Sequence, residues 1–206
     1  DAYLLGEVWE DGTTKVAYSQ RRRYLLGHET HGLMNYPFRT ALMAFLLGGG
    51  AEYFRESMET LRENYPAPAF YGAMNFLSTH DTPRLLTILG LASPAPQTRD
   101  ERAAYWLSES ELAHGKALLH LAALILYTFP GSPMLYYGDE AGMQGFEDPF
   151  NRGTYPWGRE DAPLLDYFRR LGTLRSTHAA LQCGAIVYHE AQGRALAFSR
   201  CEGSDR

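Results

Sequence analysis

Cysteine is scarce: two thiols, Cys183 and Cys201, in 206 residues are too few for a disulfide framework, and the reduced state is the favoured reading. Positive charge is not in excess either. Nineteen Lys and Arg against 24 Asp and Glu leave a net charge of −5, which gives no footprint for nucleic acid. The one basic run, "RRR" at 21–23, reads as a solvated helix face rather than a phosphate site. Long apolar runs are missing too. The stretch "LLHLAALILYTF" at 118–129 contains His120 and falls short of the roughly 20 residues a bilayer span needs, so it reads as a core helix and no membrane partner is expected. No basic segment leads into an apolar run and a small-residue cleavage site, so no secretory signal is read and the cytoplasm is favoured. A glycine-rich phosphate fingerprint is absent, since "GGG" at 48–50 follows a helical stretch and not a strand. "HETH" at 28–31 lacks the i, i+4 spacing and the third ligand of a zinc site, so neither metal nor cofactor is expected.

What is present is ordinary globular composition, 45% hydrophobic and 21% charged, enough for one sizeable core or for one domain and part of another. Four apolar runs each end in a polar cluster. "AYLLGEVW" at 2–9 suits a strand buried on both faces, and "HGLMNYPF" at 31–38 a second strand closed by Pro37. "FYGAMNFLSTHDTPR" at 70–84 supplies a third and "GSPMLYYGDE" at 131–140 a fourth. Between them lie helical stretches at 39–48 and 51–64. A longer one, opened by the capping box Thr98 and Glu101, runs to about Phe129 with a break near Ser108. Asp161 as N-cap, with Pro163 just inside, starts another helix to about Leu181, and "AIVYHEA" and "RALAFSRC" follow as a hairpin. Strands alternating with helices imply a parallel α/β sheet, and chemistry at strand C-termini fits either a (β/α)8 barrel or a doubly wound sheet.

Two of those clusters contain the carboxylates most suited to acid–base chemistry. Glu7 ends the first run, where burial would favour the protonated form that a general acid needs; a carboxylate paired with an arginine fits the position equally well. Asp81 ends the third run beside His80 and near Arg84. Two carboxylates at strand ends point to glycosidic chemistry, one protonating the leaving oxygen and the other acting as nucleophile or stabilising an oxocarbenium-like centre. Taken alone, Asp81 would be the nucleophile.

The motifs "GEVW", "MNYPFR", "HDTPR", "YYGDE" and "DPFNRGTYPW", in this order, resemble the α-amylase superfamily of glycoside hydrolases over residues 1 to about 182. The resemblance is strongest to the branch of cyclomaltodextrinases, neopullulanases and amylopullulanases. It implies a (β/α)8 barrel followed by a β-sandwich: residues 1–182 as the C-terminal half of the barrel, strands five to eight with their helices, and residues 183–206 as the first hairpin of the sandwich. By the same resemblance Glu7 is the general acid/base, and Asp81 changes role, binding sugar hydroxyls and stabilising the transition state of a retaining mechanism. His80 hydrogen-bonds the sugar in that subsite, Trp9 stacks on sugar at the leaving-group side, with core packing its alternative, and Asp148 with Arg152 contacts more distant glucose units, a purely structural ion pair fitting that pair nearly as well. Asn35 and Tyr36 shape the mouth, and Asp139 and Glu140 are structural. The family often has Asn or Ser where Thr79 stands, with no chemical consequence.

The nucleophilic aspartate and the arginine of the fourth strand are implied by the family but match nothing in this chain, which therefore reads as the C-terminal part of a longer enzyme. The implied substrate is an α-glucan or maltooligosaccharide with α-1,4 bonds, α-1,6 bonds remaining open. A non-catalytic binding or assembly subunit and a transglycosylase on the same fold are the alternatives; intact Glu7 and Asp81 argue against the first, and nothing decides the second. Four strands without the rest of a barrel leave sheet edges at "AYLLGEVW" and "SPMLYYG". The chain is therefore expected to pair with a second copy or with the missing N-terminal half.

Overall fold

The computed structural model describes residues 2–92 and 94–202. In chain order the strands and helices are β1 (Leu5–Gly6), β2 (Val16–Ala17), β3 (Gln20–Arg21), β4 (Gly32–Leu33), α1 (Tyr36–Leu46), α2 (Ala51–Asn64), α3 (Ala67–Tyr71), β5 (Met74–Asn75) and α4 (Leu85–Gly90). They continue with α5 (Arg99–Ala104), α6 (Glu109–Thr128), β6 (Ser132–Pro133), α7 (Ala162–Thr177), α8 (Ala179–Cys183), β7 (Ala185–Gln192) and β8 (Ala195–Cys201). Two compact units divide them: Asp1–Phe76 with Thr128–Met134 and Arg175–Arg206, and Leu77–Tyr127 with Leu135–Leu174. Among the described residues no helix is long and apolar enough to cross a membrane.

In the first unit β1, β4, β5 and β6 run parallel and in sequence order. β1 pairs with β4, a parallel bridge joins Met34 to Met74, and β5 pairs with β6. The pairings are short, so side-chain amides help to fix their ends. Asn35 Nδ2 donates to Asn75 Oδ1 (2.8 Å), and Asn75 Nδ2 donates to the Pro130 carbonyl (2.7 Å), both asparagines being buried. Asn35 also accepts from the Phe38 N–H and so caps α1, with Pro37 in the first turn, where a missing N–H costs nothing. Against the sequence expectation, Pro37 thus opens a helix rather than closing a strand.

Behind the strands α2 buries Ala51, Phe54, Met58 and Leu61, spaced three and four apart on one face. Phe54 meets Phe38 at 5.9 Å and Phe129 at 5.4 Å between ring centroids, all three fully buried, and truncating such a ring typically costs about 3–5 kcal/mol. The antiparallel hairpin β7–β8 packs on the same helix. Its turn residue Gly193, at φ +55°, accepts from the Ala51 N–H and donates to Glu52 Oε1, and Phe198 meets Phe129 edge-on.

Two other expectations are corrected here. The run at 2–9 forms only the two residues of β1, which pairs on one side alone, and Leu4 and Leu5 are exposed while Val8 is buried. "RRR" lies at the end of the β2–β3 hairpin and in the segment leading into a short π-helical turn, Tyr24–His28, not on a helix face. Cys183 and Cys201 are free thiols, in line with the favoured reading.

The second unit contains α4 and α5 with most of α6 and α7. Gly115 of α6 rests against Gly90 of α4; a Cβ on Gly115 would lie 2.9 Å from the Gly90 Cα, so the two backbones touch where only glycine fits. Thr98 and Glu101 form the expected capping box, and the helical region breaks at 105–108. Asp161 Oδ1 accepts from the Leu164 N–H, as expected of an N-cap, but the helix it opens ends at Thr177, and His178 precedes α8.

At the break Glu111 gathers donors: first the Tyr105 hydroxyl, then the N–H groups of Ala92 and Ser108 and the Ser108 hydroxyl, which together hold its carboxyl down to about 2. A depressed carboxylate stabilises the fold above its unfolded pKa, and that contribution fades as pH falls from the ordinary glutamate range toward 2. Glu111→Gln should therefore lower the melting temperature at pH 7, and the gap from wild type should narrow below the ordinary glutamate range and close as pH approaches about 2 in a pH series of thermal melts.

Candidate functional site

In the first unit the site is organised by Tyr36, at the start of α1. Its ring is buried edge-on against Phe76 (4.7 Å, 82°), and its hydroxyl donates to Glu7 Oε1 at 2.9 Å. Trp9 stacks on the same ring at 4.3 Å and 16°, yet remains 58% exposed. Glu7 follows β1 directly and is exposed, contrary to the burial expected of it, because β1 is an open strand. One buried tyrosine therefore holds a solvent-facing carboxylate and a solvent-facing indole. A flat apolar ring beside an oriented carboxylate suits the C–H face and the polar rim of a pyranose.

The second unit brings four more of the expected residues together. His80 Nε2 lies 3.2 Å from Asp81 Oδ2, and Arg152 Nη2 lies 3.4 Å from Asp81 Oδ1. Arg152 Nε lies 3.1 Å from Asp148 Oδ1 and donates to the His80 carbonyl at 3.1 Å. The chain His80, Asp81, Arg152, Asp148 is exposed along its length and alternates donors with carboxylate oxygens, the pattern a polyol can bridge.

Beneath these residues lies a buried scaffold. Asn151, fully buried, sets Nδ2 within hydrogen-bond distance of the carbonyls of Thr79 (3.2 Å), His80 (2.8 Å) and Thr82 (2.8 Å). Arg84, also fully buried, donates through Nε to the Asn151 carbonyl (2.9 Å) and through Nη1 to Asp139 Oδ1 (3.3 Å) and the Tyr137 carbonyl. Its guanidinium lies over the rings of Tyr136 (4.2 Å) and Tyr137 (4.6 Å). Burial pushes the Asp139 carboxyl up to about 6, opposed by the Ser78 hydroxyl and by Arg84. Asp139 is structural, as expected, and Glu140 accepts the Gly138 N–H.

Arg84 and Asn151 as scaffold were not anticipated from the sequence. Asn151 lies inside "DPFNR" between two residues that were singled out, and Arg84 ends "HDTPR"; both are polar residues at fixed places in site motifs, which was the available signal. Of "HETH", His31 accepts the Leu4 N–H at Nδ1 and stacks on Tyr3. Among the described residues no group of three His, Cys, Asp or Glu side chains is placed to hold a metal.

Residues 1–173 match the alpha-amylase catalytic domain. The chain belongs to that family. Its sequence is 34% identical over 212 residues to an amylopullulanase of Thermoanaerobacter thermohydrosulfuricus, covering 97% of this chain and 13% of that protein. It is 30% identical to a Bacillus cyclomaltodextrinase, covering all of this chain and 32% of that one. The structure aligns with a debranching enzyme of Nostoc punctiforme at a TM-score of 0.77 and 29% identity, covering 98% of this chain and 39% of that one. The chain thus spans well under half the length of these relatives. The family's catalytic domain is a TIM barrel, in keeping with the parallel, sequence-ordered strands β1, β4, β5 and β6.

Removing one partner from a buried ion pair leaves a charge without compensation. Asp139→Ala should cost about 3–5 kcal/mol in chemical denaturation, whereas Arg84→Met with Asp139→Leu should cost clearly less than the sum of the single changes. Additive losses would show that the two side chains do not act as a pair.

Proposed function

We propose that this chain is the C-terminal half of a retaining α-glucan hydrolase barrel. Residues 1–182 supply strands five to eight. Residues 183–206, the last four of which lie outside the described residues, open a β-sandwich. The substrate is a maltodextrin-like glucan cleaved at α-1,4 bonds, with α-1,6 bonds a second linkage open to it. Glu7 serves as general acid/base, protonating the glycosidic oxygen and then deprotonating water. Asp81 binds sugar hydroxyls and steadies the positive charge that develops at the anomeric carbon. His80, Trp9, Asp148 and Arg152 hold the substrate.

The observation that carries this reading is the pairing on Tyr36 of an exposed carboxylate with an exposed indole. The Tyr36 hydroxyl occupies one oxygen of Glu7, which orients the other for proton transfer. The family match supports the same assignment, and the relatives named cyclomaltodextrinase and amylopullulanase support a glucan substrate. No residue here takes the part of the nucleophilic aspartate, so the partner is the N-terminal half of the barrel, with a second copy of this chain as the alternative cover for its open strands.

Two outcomes are expected. The 206 residues alone should not release reducing ends from maltoheptaose at an enzymatic rate, while joining them to the N-terminal half of the barrel should yield turnover. In that complete barrel Glu7→Gln should lower kcat by about 10²–10⁴-fold. Unchanged turnover in the Glu7→Gln enzyme would refute the assignment, and so would turnover by the isolated chain that depends on Glu7.

A further inference from the structure

In the second unit a cavity of about 480 Å³ lies between the end of α5 and the loop from Ala141 to Arg159. Its volume is within the range of small-ligand sites. Trp106 lines it and is 70% exposed, which is unusual for so large an apolar ring. The backbone that carries the indole is nevertheless anchored on both sides. Tyr105 before it is tied by its hydroxyl to Glu111 Oε1 (2.5 Å) and sets its ring edge-on against buried Phe146 (5.9 Å, 79°). Leu107 after it is buried, and its N–H donates to Gln144 Oε1 (2.9 Å). Phe150 and Arg159 line the same cavity, as does Arg102, whose guanidinium is held by Glu147 and the Pro96 carbonyl.

We propose that this cavity is a further α-glucan-binding surface, with Trp106 as the stacking platform and Arg159 as a donor to sugar hydroxyls. An exposed ring whose neighbours are anchored offers its face at little cost in ordering, and the C–H face of a glucose unit fits it. Continuity with the proposed sugar contacts points to the same ligand. The segment from Asp148 to Gly153 carries Asp148 and Arg152 beside Asp81, and turns Phe150 and Gly153 to this cavity. The inference rests on the glucan reading given above, because it takes the ligand class from it.

Affinity electrophoresis through gels containing soluble starch tests it on the complete barrel, with p-nitrophenyl maltoside hydrolysis measured in parallel. Wild type should be retarded, and maltoheptaose should relieve the retardation. Trp106→Ala and Arg159→Ser should each weaken the apparent affinity about tenfold or more while changing hydrolysis of the short substrate less than twofold. Both side chains are exposed, so truncating them removes no core packing, and an unchanged melting temperature in either variant is enough to read the result. Retardation that survives both substitutions, or no retardation of wild type, overturns the surface while leaving Glu7-dependent hydrolysis intact. Hydrolysis that persists in Glu7→Gln overturns the catalytic reading instead, whatever the gels show.

Discussion

A guanidinium with no accessible surface is the constraint on which the second unit depends. Stripping Arg84 of water costs several kcal/mol, recovered only if its surroundings supply acceptors and a counter-charge in fixed places. Those surroundings come from distant parts of the sequence: the Asn151 carbonyl, the Tyr137 carbonyl, Asp139 and the faces of two tyrosines. The backbone N–H of Arg84 is also used, donating to the Gly145 carbonyl at 2.9 Å. Supplying the partners of its Nε and Nη1 therefore determines where three loops run. The loop carrying His80 and Asp81 and the turn carrying Arg152 inherit their positions from it.

Both groups of site residues share this logic although their anchors differ. Tyr36 is neutral and aromatic, and its single hydroxyl orients one carboxylate while its face supports one indole. Arg84 and Asn151 are polar and act through carbonyls, so they set backbone rather than side chains. In each case the exposed residues are held by a buried neighbour, which limits the geometries open to them.

What was legible in the sequence follows the range of each signal. The Thr98 capping box, the Asp161 N-cap and the hairpin around Gly193 depend on residues a few positions apart, and all three are present. Burial at 2–9 was misread because an apolar run records only a tendency to be covered, while the cover itself is a matter of tertiary arrangement. Pro37 was misread because the same ring that ends a strand also suits a first helical turn; the deciding bond is the one from the Phe38 N–H to Asn35. Family motifs named Glu7, Asp81 and their companions, but motif matching favours what faces solvent. Arginine is ordinarily a surface residue, and nothing local marks Arg84 as enclosed.

The two buried asparagines of the first unit act as a gauge. A side-chain amide has fixed length and two distinct ends, so Asn35 and Asn75 index the end of β4 to that of β5, and Asn75 indexes β5 to Pro130 just before β6. A slip of one residue in either strand would turn an amide to the wrong face and strand its polar atoms. The loops beyond these ends are thereby released from any part in setting register. They can change in length and composition while the strands that launch them stay aligned, which lets one framework carry many different mouths.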